Sequence, residues 1–100
     1  MELPLACTLD ARAFSEQAAR YGRVAQAVAE LQRAPLAVTA LLDPSVEPEL
    51  VEELVSVERE CCPFYAIEWD PGQARLRFSV DTQHALALDA IAAALTPART

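Results

Sequence analysis

Prolines at positions 35, 44, 48, 63 and 71 leave no room for a long helix in the middle of this 100-residue chain. Proline lacks a backbone N–H and pushes the residue before it out of the α region, so each one marks a boundary or a first helical turn. The stretches before Pro35 and after Pro71 are long enough for an extended helix. Asp10 is the expected N-cap of a helix over 11–33, with Phe14, Ala18, Tyr21, Ala25 and Val28 at helical spacing as its buried stripe. Gly22 falls inside that helix and weakens it, and Pro35 stops it.

The remaining elements are short. Residues 3–9 read as an edge strand or extended arm, because Pro4 cannot donate to a ladder. Residues 36–42 read as a strand, followed by a turn at 43–45. A second helix begins near Ser45 or Glu47, with Pro48 in its first turn and Glu47, Glu49, Glu52 and Glu53 at the positive end of its dipole. Its expected stripe is Leu50, Leu54, Val57 and Cys61, and Pro63 ends it. Residues 64–69 and 75–80 form two strands joined by Asp70-Pro71-Gly72-Gln73, a type II turn signature. Leu76, Phe78 and Val80 point one way and Arg75, Arg77 and Ser79 the other, as in a sheet wet on one face. Asp81 or Thr82 caps a last helix over 83–95, with His84, Leu88, Ile91 and Leu95 on one stripe. The expectation is a single α+β domain over 1–100, with helices on one face of a small, mainly antiparallel sheet, in the order (β)αβαββα. So few strands expose their edges, which favours a homodimer.

Charge and composition narrow the function. The net charge of −7 argues against nucleic acid and against an anionic membrane surface, since both need basic patches. No run of about 20 apolar residues is present to span a bilayer. The first residues lack the basic start of a secretory signal, so the expected location is the cytoplasm, where the three cysteines are reduced. Two glycines and no G-x-S-x-G leave phosphate-binding, dinucleotide and hydrolase readings without support, and no small-molecule substrate is identifiable.

What concentrated chemistry there is lies at Cys61 and Cys62. Counting about 100° per residue places Cys61 in the apolar stripe, and Glu58 with Cys62 at its rim beside Val51 and Val55. A carboxylate near the core needs a partner, such as an arginine (Arg12, Arg59 or Arg75), a backbone donor or a metal. The helix C-terminus and the nearby Glu58 and Glu60 disfavour a free thiolate. A bound cation reverses that balance, because a coordinating thiol loses its proton. Adjacent cysteines do not have the C-x₂-C spacing of common zinc sites and better suit a soft ion of low coordination number such as copper(I) or mercury(II). Cys7 is the candidate third thiol and His84, the only histidine, a further ligand. Each cysteine also has a plain packing role open to it.

The stretch Glu58-Arg59-Glu60-Cys61-Cys62-Pro63-Phe64, with Cys7-Thr8-Leu9, resembles a group of small, mostly uncharacterised bacterial proteins that carry Cys-Thr-Leu and Glu-x-x-Cys-Cys-Pro-Phe. Some members are encoded near metal- or stress-responsive regulators, so the resemblance implies a metal or thiol role for Cys7, Glu58, Cys61 and Cys62. The leading expectation is a small thiol protein, leaning away from an enzyme, that binds copper, mercury or zinc through Cys61 and Cys62, with Cys7, Glu58 and His84 as further ligands. Two alternatives stand beside it: a redox module pairing Cys7 with Cys62, and a structural or interaction domain whose cysteines pack.

Overall fold

The computed structural model describes residues 10–97. The expected strand at 3–9 and Cys7 lie outside them. Three helices and four strands follow in the order α1 (Ala11–Gln26), β1 (Val28–Ala34), β2 (Ala37–Leu42), α2 (Pro48–Cys61), β3 (Ala66–Asp70), β4 (Arg75–Ser79) and α3 (Ala87–Ala94). The strands make one antiparallel sheet in the order β1-β2-β4-β3. The α+β class and the mainly antiparallel sheet match the sequence expectation.

The core is built by register. Val38, Phe78 and Ile67 stand abreast across β2, β4 and β3, and Ala40, Leu76 and Trp69 form the next row. Tyr21 and Val24 of α1, Val51 and Leu54 of α2, and Leu88, Ile91 and Leu95 at α3 are fully buried in the same core. Each such large side chain contributes roughly 1.5–3 kcal/mol through burial, an upper figure because unfolded chains bury some surface too. The chain therefore needs no covalent staple.

The expected helix over 11–33 is shorter than the sequence suggested. It ends at Gln26, and Val28–Ala34 is instead an edge strand paired with β2. The cause is a bulge. The register shifts between Val28 and Glu30, so the extra residue lets Val28 and Leu31 both pack against the core. That gives an i, i+3 apolar spacing inside a strand, which reads as helical. Pro35 and Leu36 then turn the hairpin, so Pro35 breaks a strand rather than a helix. Phe14, expected in the stripe, is 36% exposed, and the buried face of α1 is Gln17, Tyr21, Val24 and Ala25.

Two further expectations change. The β3–β4 turn is not type II, since Gly72 has no positive φ. Bonds from Gln73 N–H to the Asp70 carbonyl and from Ala74 N–H to the Pro71 carbonyl wind the loop instead, and Ala74 takes the left-handed conformation at φ 50°. The final helix is also broken. Asp81 caps a single 3₁₀ turn, Thr82–His84, and α3 starts at Ala87.

Ala74 is buried, yet its backbone conformation is hostile to branched side chains. Ala74→Val should destabilise by about 1–3 kcal/mol in urea unfolding, although valine at a buried strand-end position would ordinarily be tolerated. An unchanged midpoint would contradict the left-handed assignment.

Candidate metal centre

Helix α2 starts with Pro48 at its first position and buries Val51, Leu54, Val55, Glu58 and Cys61. Its inward face is therefore turned toward Val51, Val55 and Glu58, away from the expected Leu50–Val57 side. Glu58, expected at the rim, is 0% exposed in the middle of that face. Cys62, also expected at the rim, is fully buried, slightly more so than Cys61. The sequence count misplaced them because apolar residues flank both sides of the stripe and an acidic residue argued against the true centre.

The end of the helix aims the cysteines. Cys61 is the last α2 residue, and Cys62 is the C-cap at φ −133° and ψ 71°, outside helical space. Its N–H still donates to the Glu58 carbonyl at 2.8 Å, while its own carbonyl accepts from Tyr65 N–H at 3.2 Å. Pro63 enforces this exit, since the preceding residue cannot stay in the α region. A regular helix would point successive side chains about 100° apart. The non-helical cap brings the Cys61 and Cys62 sulfurs to 3.6 Å. One carboxylate oxygen of Glu58 and the two sulfurs all lie within 4.8 Å of one another, and all three residues are buried.

Glu58 is held from α1, and by no arginine directly among the described residues. Gln17 Nε2 donates to Glu58 Oε1 at 3.1 Å and to the Leu54 carbonyl at 3.0 Å. Arg20 donates to Gln17 Oε1 at 3.0 Å and pairs with Glu53. Because the guanidinium occupies the amide oxygen, the amide N–H₂ must face the carboxylate. Arg20 thus supports the Glu58 charge through the Gln17 amide. The three arginines expected as partners do other things or none at this site: Arg59 donates to the Ile67 carbonyl at 2.7 Å, and Arg12 and Arg75 are exposed.

Glu58 Oε2 and Tyr21 Oη make no hydrogen bond of good geometry among the described residues, although the Tyr21 hydroxyl lies beside the Glu58 carboxylate. Tyr21 is fully buried one helical turn beyond Gln17. Burial first, then the Glu58 carboxylate through its charge and a hydrogen-bonding contact, with smaller effects from Tyr65 and Cys62, hold its phenol well above the ordinary range. The tyrosine therefore stays protonated and keeps its hydroxyl as a donor.

His84 is placed elsewhere. Its Nδ1 lies 2.7 Å from Asp81 Oδ1, and its ring stacks on Phe64 with centroids 4.4 Å apart. The hydrogen bond from His84 holds the Asp81 carboxyl below the ordinary carboxylate range. Of the expected ligands, then, the described residues bring together Glu58, Cys61 and Cys62 and set His84 apart. Gln17 and Tyr21 were missed as site residues. Gln17 is a polar side chain inside the apolar stripe of α1, as Glu58 is in α2, and two such residues on packed helices tend to answer one another.

No family model, no curated protein and no solved structure matches this chain.

Removing Gln17 should expose the cost of the buried carboxylate. Gln17→Leu should lower stability by about 1–3 kcal/mol, since an acceptor loses its donor while staying buried. Gln17→Leu combined with Glu58→Leu should recover most of that loss, because apolar replacement of both partners is close to neutral. Denaturant unfolding of the four proteins of this cycle is the check.

Proposed function

We propose that the protein binds a divalent, thiophilic metal ion of the zinc type through the sulfurs of Cys61 and Cys62 and a carboxylate oxygen of Glu58. The observation that carries this is the convergence of three buried donors, the Cys61 and Cys62 sulfurs and one carboxylate oxygen of Glu58, within 4.8 Å of one another. An uncompensated carboxylate in a core is costly, and an ion is one of the few partners that offsets that cost.

Geometry and charge favour this class of ion over the low-coordinate one suggested by cysteine adjacency. Two sulfurs bound at about 2.3 Å to one ion lie about 4.6 Å apart when linear and about 3.8 Å apart at a tetrahedral angle. The 3.6 Å separation suits the second. Two thiolates and one carboxylate carry three negative charges. A divalent ion leaves a residual charge of about one unit in the core, and copper(I) would leave two, which is harder to bury. Three protein donors leave the fourth tetrahedral position for Cys7, as the sequence suggests, or for water. Burial of the donors favours an ion over an organic substrate, and we assign no enzymatic reaction.

The test is titration of the reduced chain with zinc(II), and with cobalt(II) as a coloured probe. Binding should give sulfur-to-cobalt charge-transfer absorption and raise the melting temperature, with about 2.7 kcal/mol of stabilisation at a hundredfold excess over Kd. Cys61→Ser with Cys62→Ser should weaken binding by more than the roughly 10- to 100-fold typical of an outer partner. Affinity should fall as pH falls, because protons compete for the thiolates. Undiminished binding in the double variant would overturn the assignment, and mercury(II) and copper(I) titrations rank the competing ions. Cys7→Ser reports whether a third sulfur takes part.

A further inference from the structure

We propose that Arg20 is a positioning residue of this metal site. Through the Gln17 amide it holds the Glu58 carboxylate in place for an ion, so that affinity inside the core is set in part by a guanidinium at the protein surface. The inference rests on the reading of Glu58, Cys61 and Cys62 as ion ligands and extends it to a residue one amide removed from the nearest ligand.

A continuous chain of hydrogen bonds makes the connection. Arg20 Nη1 donates to Gln17 Oε1 at 3.0 Å. Gln17 Nε2 donates to Glu58 Oε1 at 3.1 Å and to the Leu54 carbonyl at 3.0 Å. A primary amide has two N–H hydrogens, and these two acceptors take both of them. Gln17 is fully buried, whereas the Arg20 side chain is 17% exposed and pairs outward with Glu53, which is 60% exposed. The chain therefore runs from the surface to the core. At its inner end, a carboxylate oxygen of Glu58 lies within 4.8 Å of both sulfurs.

The outward ion pair with Glu53 does not by itself require a second bond to a buried amide. That second bond serves the inner end. A buried amide oxygen needs a donor, and a charged one polarises the amide, which strengthens the N–H bonds on its other side. Two thiolates, one carboxylate and a divalent ion leave about one unit of negative charge in the core. Arg20 is the cation that the chain brings toward that charge. Outer partners that hydrogen-bond a ligating carboxylate orient it and tune metal affinity.

The experiment measures zinc(II) affinity by chelator competition, under conditions where the metal-free chain is folded. It compares the wild-type chain with Arg20→Met, Glu53→Gln, Gln17→Leu and the combination of Arg20→Met with Gln17→Leu. Arg20→Met should weaken binding about 10-fold, the low end of the range for outer partners, because it acts at one remove. Glu53→Gln removes the ion pair and keeps the bond to Gln17, so affinity should be unchanged or raised. In the Gln17→Leu background, Arg20→Met should cost no further affinity, because the residue it acts through is gone. Unchanged affinity in Arg20→Met overturns the inference while leaving the metal site standing. An equal loss in Glu53→Gln also overturns it, since the ion pair would then act as a clamp between α1 and α2, and so do additive losses in the combined variant. Should Gln17→Leu not fold, the comparison of Arg20→Met with Glu53→Gln decides alone. Failure of the wild-type chain to take up zinc or cobalt overturns the metal reading and this inference together.

Discussion

A single amide holds a carboxylate in the hydrophobic core, and the arrangement of the site depends on that contact. Gln17 reaches from α1 to Glu58 on α2, and Arg20 locks the amide from behind. Hydrogen bonds to charged groups contribute about 1.5–3 kcal/mol, yet a carboxylate stripped of water loses more than one such bond returns. The balance at Glu58 is therefore incomplete, as the bare Oε2 shows. Cores replace such groups readily with leucine when nothing requires them. In the proposed site, this acidic side chain and the two thiols near it are half of an interaction whose other half is a cation.

The second constraint is the way α2 ends. Vicinal cysteines within a helix diverge, and those in a strand point to opposite faces. Here the helix stops between them. Pro63 forces Cys62 out of helical space, and the bonds at its N–H and carbonyl hold it there. The stacked Phe64 and His84 rings and the Tyr65 hydroxyl on Ala87 tie the segment after the proline to the start of α3. The backbone thus sets the Cβ directions from which the two sulfurs come to 3.6 Å. This is also why a pair with the wrong sequence spacing for zinc acquires suitable spacing in space.

The sequence exposed some of this and concealed the rest for physical reasons. The Glu-x-x-Cys-Cys-Pro pattern marked the site, because i, i+3 and i+4 neighbours on a helix share a side whatever the fold. The β3–β4 hairpin and the buried Leu76 and Phe78 followed from simple alternation. The β1 strand did not, since its bulge reproduces a helical spacing at Val28 and Leu31. The phase of α2 was misjudged because hydrophobicity alone cannot tell that Glu58 occupies the centre of a stripe. Gln17 and Tyr21 could be joined to the site only once α1 and α2 were packed together, because a distance of some forty residues in sequence has no periodicity to reveal it.

X-ray absorption at the zinc edge of the reduced, zinc-loaded chain tests the central claim most directly. The account predicts two sulfur neighbours near 2.3 Å, or three if Cys7 joins them, together with at least one oxygen at about 2.0–2.2 Å. A shell of nitrogen and oxygen alone, or with a single sulfur, would contradict it, because it would mean that Cys61 and Cys62 do not act together on one ion.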